Sequence, residues 1–411
     1  MSATSAQRER ILRNVCKLVL TKHINVGRVD LAAWAEKVQH KRPQLVSADQ
    51  DDFEDEVRRL LQELRTSHTA FYSGLPQRFP PQHTLNATLS PMPDAGDKWM
   101  FLDVFEGGPA ATAGIVPGDV LLAVDGKEFF NSETPQFGIG ARHQLTIERI
   151  GRAKDISVEV PVRKPTKSRP PIVEPKPINF RVLDAGVGLI RIVYFPGAFG
   201  MRFGRELDTA MENLRSAGCN YLVLDLRGNI GGSLGFARVA SYLCPDIAPI
   251  GHSLTPQRLR TGYRPEDLPK VVMPADRMNL LTTLTRFAFA DKSIMLMTSG
   301  FGSQPFHGRL VVLVNEWTNS AGEMLAAFAQ QQVGAQVIGE RTRGNVLGAA
   351  NFSVGGGYWL RLPVFGWYTA QGHSLEGVGV TPDIHVPAAQ LLQGVDDQLV
   401  AAERAVKNGR Y

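Results

Sequence analysis

The chain has 411 residues, room for about two or three domains, and its 43% hydrophobic and 21% charged content is a globular balance that excludes wholesale disorder. Its 45 Lys and Arg against 40 Asp and Glu leave +5, spread along the chain rather than massed, so no nucleic-acid partner is expected. Cys16, Cys219 and Cys244 are too few and too far apart for a disulfide framework or a zinc cage, and no apolar run approaches the ~18 residues of a membrane span, so no integral membrane segment is expected.

The first twenty residues do not have the shape of a secretory signal, because Arg8, Arg10, Arg13 and Lys17 interrupt the apolar core it would need. As written, the chain is expected in the cytoplasm; a periplasmic or secreted location follows if a signal preceding it has been removed. Ile11, Leu12, Val15, Leu18 and Val19, then Leu31, Trp34 and Val38, recur at helical spacing. A further helix is expected from about 53 to 67, with Asp49, Asp51 and Asp52 at its start and Phe53, Val57, Leu60, Leu61 and Leu64 on its buried stripe. Residues 1–75 therefore read as a helical region that delivers Thr66-Ser67-His68-Thr69 to something downstream.

From 82 to 163 the pattern changes to short strands between glycine and proline turns. Pro109 can open a short helix that Gly114 ends in a left-handed turn, and Gly118-Asp119 turns into a strand Val120–Val124 closed by Asp125-Gly126. Residues 164–178 carry Pro165, Pro170, Pro171, Pro175 and Pro177 and read as a stiff linker. From 179 to 400 strand and helix alternate as in an α/β domain, with buried strands at 188–193, 220–225, 310–314 and 337–339 and helices at 203–217 and 321–331. The stretch from about 256 to 306 reads as an insertion, and 401–411 as a tail.

Two loops carry candidate chemistry. Ser320 stands where the strand 310–314 has ended and a helix should begin, which exposes its hydroxyl beside first-turn N–H groups that favour developing negative charge. Read alone, Ser320 with Glu323 is also a capping box. The loop Asp225-Leu-Arg-Gly-Asn-Ile-Gly231-Gly232 ends another buried strand, and its paired glycines let backbone N–H groups approach a ligand. Gly231 or Gly232, with the N–H of Ala321, could form an oxyanion hole; Asp225, Arg227 and Asn229 read as scaffold.

Residues 105–126 resemble a PDZ domain, and the whole run of motifs resembles the C-terminal processing, or tail-specific, serine peptidases. The motifs occur in the family's order: Asp225 to Gly232, Thr318 to Glu323, Gly339-Glu-Arg-Thr-Arg-Gly344 and Gly379-Val-Thr-Pro-Asp-Ile384. The resemblance implies a multidomain α/β protein: a helical N-terminal unit, a PDZ-like β-rich domain and an α/β, crotonase-like or ClpP-like, peptidase core. It implies a serine endopeptidase acting on unfolded or C-terminally exposed polypeptides, with no cofactor and no metal. Polypeptide substrates would be the partners, through the PDZ-like module, and a homo-oligomer is compatible with the family. The segment His83-Thr84-Leu85-Asn86 lacks the glycine with which PDZ domains hold a terminal carboxylate, so peptide docking and a structural or gating role both stand.

Many relatives place a catalytic lysine directly after the Gly-Glu-x-Thr-x-Gly motif, where this chain has Asn345, which cannot take a hydroxyl proton at neutral pH. Arg341 and Arg343 stay protonated. The tricorn-like branch instead implies Ser320 as nucleophile, His68 as base, Glu376 orienting the imidazole and Ser67 in support, a Ser-His-carboxylate set assembled from distant positions. His373 is an alternative base, and His307 precedes the nucleophile's strand. A histidine of ordinary basicity predicts activity falling on acidification through roughly pH 6–7. The alternatives are a catalytically inactive PDZ-containing binding or scaffold protein and a carrier of apolar small molecules.

Overall fold

A computed structural model of the chain describes residues 3–73, 81–92, 98–128, 134–163, 172–184, 186–197, 201–272, 293–299, 306 and 308–408. Most of the expected linker, His307 and much of the expected insertion lie outside them. The chain forms two compact units, each drawn from three stretches: Met1–Pro76 with Ile247–Ser299 and Gly344–Gly379, and Gln77–Asp246 with Gly300–Arg343 and Val380–Tyr411. The stretch read as one peptidase core thus contributes to both.

In the first unit, three helices, Ser5–Lys22, Leu31–Ser47 and Gln50–Gln62, start at Thr4, Asp30 and Asp49, whose side-chain oxygens accept first-turn N–H groups. Their apolar stripes pack on one face of a six-stranded sheet ordered Ala70–Ser73, Tyr358–Thr369, Pro249–Leu254, Ile294–Met297 and Lys270–Val272, with Gly348–Gly355 also paired to the long strand. Phe71 stacks on Tyr358 at 5.0 Å, and Phe53 meets both rings edge-on. The third helix stops at Gln62, short of the expected end, and Arg65 and His68 turn the chain through left-handed φ of 50° and 61° into the strand at Ala70. His23, capping the first helix, places its Nε2 3.0 Å from the Thr66 hydroxyl, which lies 3.1 Å from that of Thr69; His68 is therefore held in a pinned turn.

In the second unit, the PDZ-like sheet runs Ala87–Met92, Lys98–Val104, Val120–Val124, Arg142–Arg149 and Arg152–Glu159. As the sequence predicts, Pro109–Thr112 is a short helix with proline at its first turn, followed by Gly114 at φ 82°. A second six-stranded sheet has the order Ile384–His385, Gln336–Gly339, Arg309–Val314, Tyr221–Asp225, Val187–Ile192 and Ile178–Asp184. Its strands are parallel except for the last. The inner strands are unbroken apolar runs because both faces are covered. On one of those faces Val187, Leu189, Val223, Val311 and Leu313 pack with Ala402 and Val406 of the helix Asp397–Asn408. The helix after Ser320 runs Ala321–Phe328, then widens into a π turn, Ala329–Val333.

Asp103 ties the two sheets of this unit together. It is 2% exposed, accepts from the Thr88 hydroxyl at 2.6 Å and the Asn315 amide at 2.9 Å, and pairs with Arg191 at 2.7 Å. Asp103→Ala would leave a largely buried guanidinium and two polar side chains without their acceptor. A loss of about 3 kcal/mol is expected in urea unfolding, and a change below about 0.5 kcal/mol would show that this carboxylate is not structural.

Candidate active site

The Ser320 loop begins where Arg309–Val314 ends. Asn315 accepts the N–H groups of Gly228 at 2.9 Å and Trp317 at 3.1 Å, and the Thr318 hydroxyl donates to the Leu226 carbonyl at 2.9 Å. Adjacent parallel strands thus lash their C-terminal loops to one another. Ser320 follows at φ 50°, ψ −114°, a conformation L-residues avoid, and opens the helix Ala321–Phe328. Such strain persists only where the surroundings impose it. The Ser320 N–H donates to the fully buried Glu323 carboxylate at 2.9 Å, so the reach-back arm of the capping reading is real, and Glu323 also accepts from Thr342 at 2.6 Å.

The glycine loop lies directly against this turn. A Cβ on Gly231 would stand 2.7 Å from the Ser320 Cβ, and one on Gly232, at φ 138°, would stand 2.3 Å from the Phe195 carbonyl. No larger residue fits. Gly231 donates its N–H to the Asn229 Oδ1 at 2.8 Å, so that hydrogen is already engaged. The N–H groups of Gly232 and Ala321 meet no acceptor among the described residues. Of the three expected oxyanion donors, two are free to serve. Asp225 and Arg227 form a two-pronged buried ion pair that continues to Asp396, and they are scaffold.

Ser67, His68 and Glu376 come together in the other unit. Glu376, 2% exposed, accepts the Ser67 N–H on Oε1 at 2.8 Å, and the Ser67 hydroxyl on Oε2 at 3.0 Å. The Ser67 Oγ lies 2.9 Å from the His68 Nδ1. Among the described residues there is no direct bond from Glu376 to His68: the serine hydroxyl stands between them, a larger part than the supporting one expected from sequence. Since that hydroxyl gives its hydrogen to the carboxylate, its oxygen accepts, and Nδ1 must carry the imidazole proton. Nε2 is left with the lone pair a base needs. Val346, next to Asn345, donates its N–H to the Glu376 Oε2 at 3.0 Å, and Arg28 donates to the Glu376 carbonyl at 2.5 Å.

Burial, and secondarily the Arg361 charge, push the His68 pKa down to about 4, and burial alone pushes His23 to about 4. The half-buried His68 ring thus departs from the unperturbed basicity on which the pH 6–7 expectation was based. His373 is exposed and engages Thr369 through its backbone, with no bond from its ring to Glu376 among the described residues. Arg343 lies 4.0 Å over the Trp317 ring, a cation–π contact rather than a base. In the PDZ-like sheet, the Leu85 N–H donates to the Pro81 carbonyl, while the Leu85 and Asn86 carbonyls accept from Ala110 and Phe105. The segment His83 to Asn86 is thereby built into the module's own backbone. Sequence reasoning missed His23 and its contact with the Thr66 hydroxyl, and also the side-chain role of Asn229; a polar residue two before a paired glycine was the available signal.

Residues 186–386 match peptidase family S41 and residues 101–137 match a PDZ domain. A carboxy-terminal-processing protease of Bartonella bacilliformis is 25% identical over 353 residues, 83% of this chain and 68% of that protein. A putative tricorn protease homolog 2 of Streptomyces coelicolor is 26% identical over 380 residues, 85% of this chain and 28% of that one. The solved photosystem II D1 C-terminal processing protease matches with TM-score 0.56 and 18% identity over 98% of this chain and 97% of that chain, a likeness of fold. The chain spans about half the length of several other curated relatives. Together the fold and these matches define a serine-type peptidase scaffold. The segment 186–386 is thus similar to the S41 serine-type peptidases, and 101–137 to a PDZ domain.

Burial lowers the pKa of His23, His68, His83 and His252 and so sets a pH dependence of stability. For His23 and His68 the folded values near 4 lie below the ordinary 6.5, so the unfolded chain takes up protons first as pH falls. Stability from both is complete above pH 6.5 and is lost between 6.5 and 4. Urea midpoints should fall steeply over that window, less so in His23→Gln; a midpoint that stays level from about pH 7 to 4.5 would contradict the burial of both rings.

Proposed function

We propose that the protein is a serine endopeptidase of the C-terminal processing type, hydrolysing unfolded or C-terminally exposed polypeptides with Ser320 as nucleophile, His68 as base and Glu376 acting through Ser67. The single observation that carries this reading is Ser320 itself, held at φ 50° at a helix start with the bare backbone of Gly231 on its Cβ. In the reaction, the Ser320 Oγ attacks the scissile carbonyl as its proton passes to the His68 Nε2, and the N–H groups of Gly232 and Ala321 receive the oxyanion. The same proton then goes to the departing amine, and water, deprotonated by His68, releases the acyl group and restores the serine. The PDZ-like module would hold the polypeptide, as such domains do by strand addition.

Asn345 at the lysine position favours a second reading, a binding protein that has lost catalysis. Hydrolysis of an unfolded test protein by the wild type, Ser320→Ala, His68→Ala and Ser67→Ala separates the two. Losses on the order of 10³-fold or more in kcat are expected for the first two variants, with a smaller loss for Ser67→Ala. Labelling by a serine-directed phosphonate should require Ser320. An inert, unlabelled wild type that retains saturable peptide binding would establish the second reading instead.

The acid limb of kcat/KM offers a separate check. With the His68 pKa near 4, activity should hold from about pH 8 to about 5.5 and fall below that. An acid limb centred between about pH 6 and 7 would mean the ring is solvated in the working enzyme.

A further inference from the structure

Asn229 is fully buried and engaged through both its side chain and its backbone. Its Oδ1 accepts the Gly231 N–H at 2.8 Å, its Nδ2 donates to the Ile192 carbonyl at 2.7 Å, and its own carbonyl accepts the Asn319 N–H at 2.8 Å. The reverse amide orientation would set oxygen against oxygen and N–H against N–H, so the orientation is forced. A Cβ on Gly322 would stand 2.9 Å from the Asn229 Oδ1, so the first turn of the helix after Ser320 leans on the same side chain. One residue therefore contacts the strand Val187–Ile192, the glycine loop and both sides of Ser320.

We infer that Asn229 is a positioning residue that sets the oxyanion hole: it captures the Gly231 N–H, leaving the Gly232 N–H as the glycine donor, and locks that loop to the turn carrying Ser320. The inference rests on the reading of Ser320 as nucleophile. An aspartate at 229 would keep the acceptor for Gly231 but lose the donor to Ile192. An alanine would release the Gly231 peptide and leave two buried backbone groups unpaired. An oxyanion hole depends on donors fixed before charge develops, so a released glycine peptide should weaken transition-state binding more than substrate binding.

The test measures kcat and KM per active site, with sites counted by phosphonate labelling, in Asn229→Ala, Asn229→Asp and the core control Val223→Ala. Inhibition by a peptide boronic acid, which mimics the tetrahedral adduct, is measured on the same proteins. Asn229→Ala should lower kcat per site by about tenfold or more, with KM within about twofold and boronate affinity lost in parallel. Val223→Ala should lose stability and keep its kcat per site. Asn229→Asp keeps the acceptor for Gly231 but sets an oxygen against the Ile192 carbonyl and a charge beside the oxyanion, so it too should lower kcat per site with KM within about twofold, which keeps the test decisive if the alanine variant does not fold. Wild-type kcat per site in either Asn229 variant would overturn the inference. A wild type that neither turns over nor labels at Ser320 overturns the nucleophile reading, and this inference with it.

Discussion

The pairing of Tyr221–Asp225 with Arg309–Val314 as parallel neighbours is the constraint on which the surroundings of Ser320 depend. Parallel strands end at the same edge of the sheet, so the loops 226–232 and 315–320 must leave it side by side. Backbone groups that would otherwise be orphaned there are satisfied across the loops, from Gly228 to Asn315, from Thr318 to Leu226 and from Asn319 to Asn229. The strain at Ser320 is tolerated because so many of its neighbours are tied down independently. A glycine is required at 231 and at 232 for the same reason: the chain approaches its neighbours until no side chain fits between them.

The surroundings of His68 are built on a different principle. His68 is held at the end of a turn by a short hydroxyl chain, with Ser67 relaying the Glu376 charge and the His23, Thr66 and Thr69 contacts fixing the turn. Burial costs the charged imidazole more than the neutral one, so His68 is kept in the form that can accept a proton. The carboxylate opposes this only at second hand, through a neutral hydroxyl. Val346 shows how the segment beyond Asn345 is used here: its backbone anchors Glu376.

The PDZ-like sheet shares a buried polar junction with the parallel sheet of its unit. Asp103 pairs with Arg191 of the strand Val187–Ile192 and accepts from Asn315, which in turn holds Gly228. The module's strands are thereby connected, through these side chains, to the loop that carries Gly231 and Gly232. In the segment His83 to Asn86, the Leu85 N–H and the Leu85 and Asn86 carbonyls are taken up by bonds within the module.

Local sequence determined the elements. Helical spacing from Ile11 to Leu64, the apolar runs at 221–225 and 309–314, the Pro109–Gly114 helix and the motif order were all legible, because periodicity and turn chemistry act over a few residues. The same reasoning singled out Ser320 and the glycine pair, whereas Ser67, His68 and Glu376 came from the resemblance to the tricorn-like branch. What it could not reach depends on atoms brought together from far apart in the chain. Only the folded structure showed that Ser67 separates His68 from Glu376, that Gly231 has already given its N–H to Asn229, and that burial takes the His68 pKa to about 4. Hydrogen-bond bookkeeping and desolvation are properties of the packed interior, and no spacing along the chain encodes them directly.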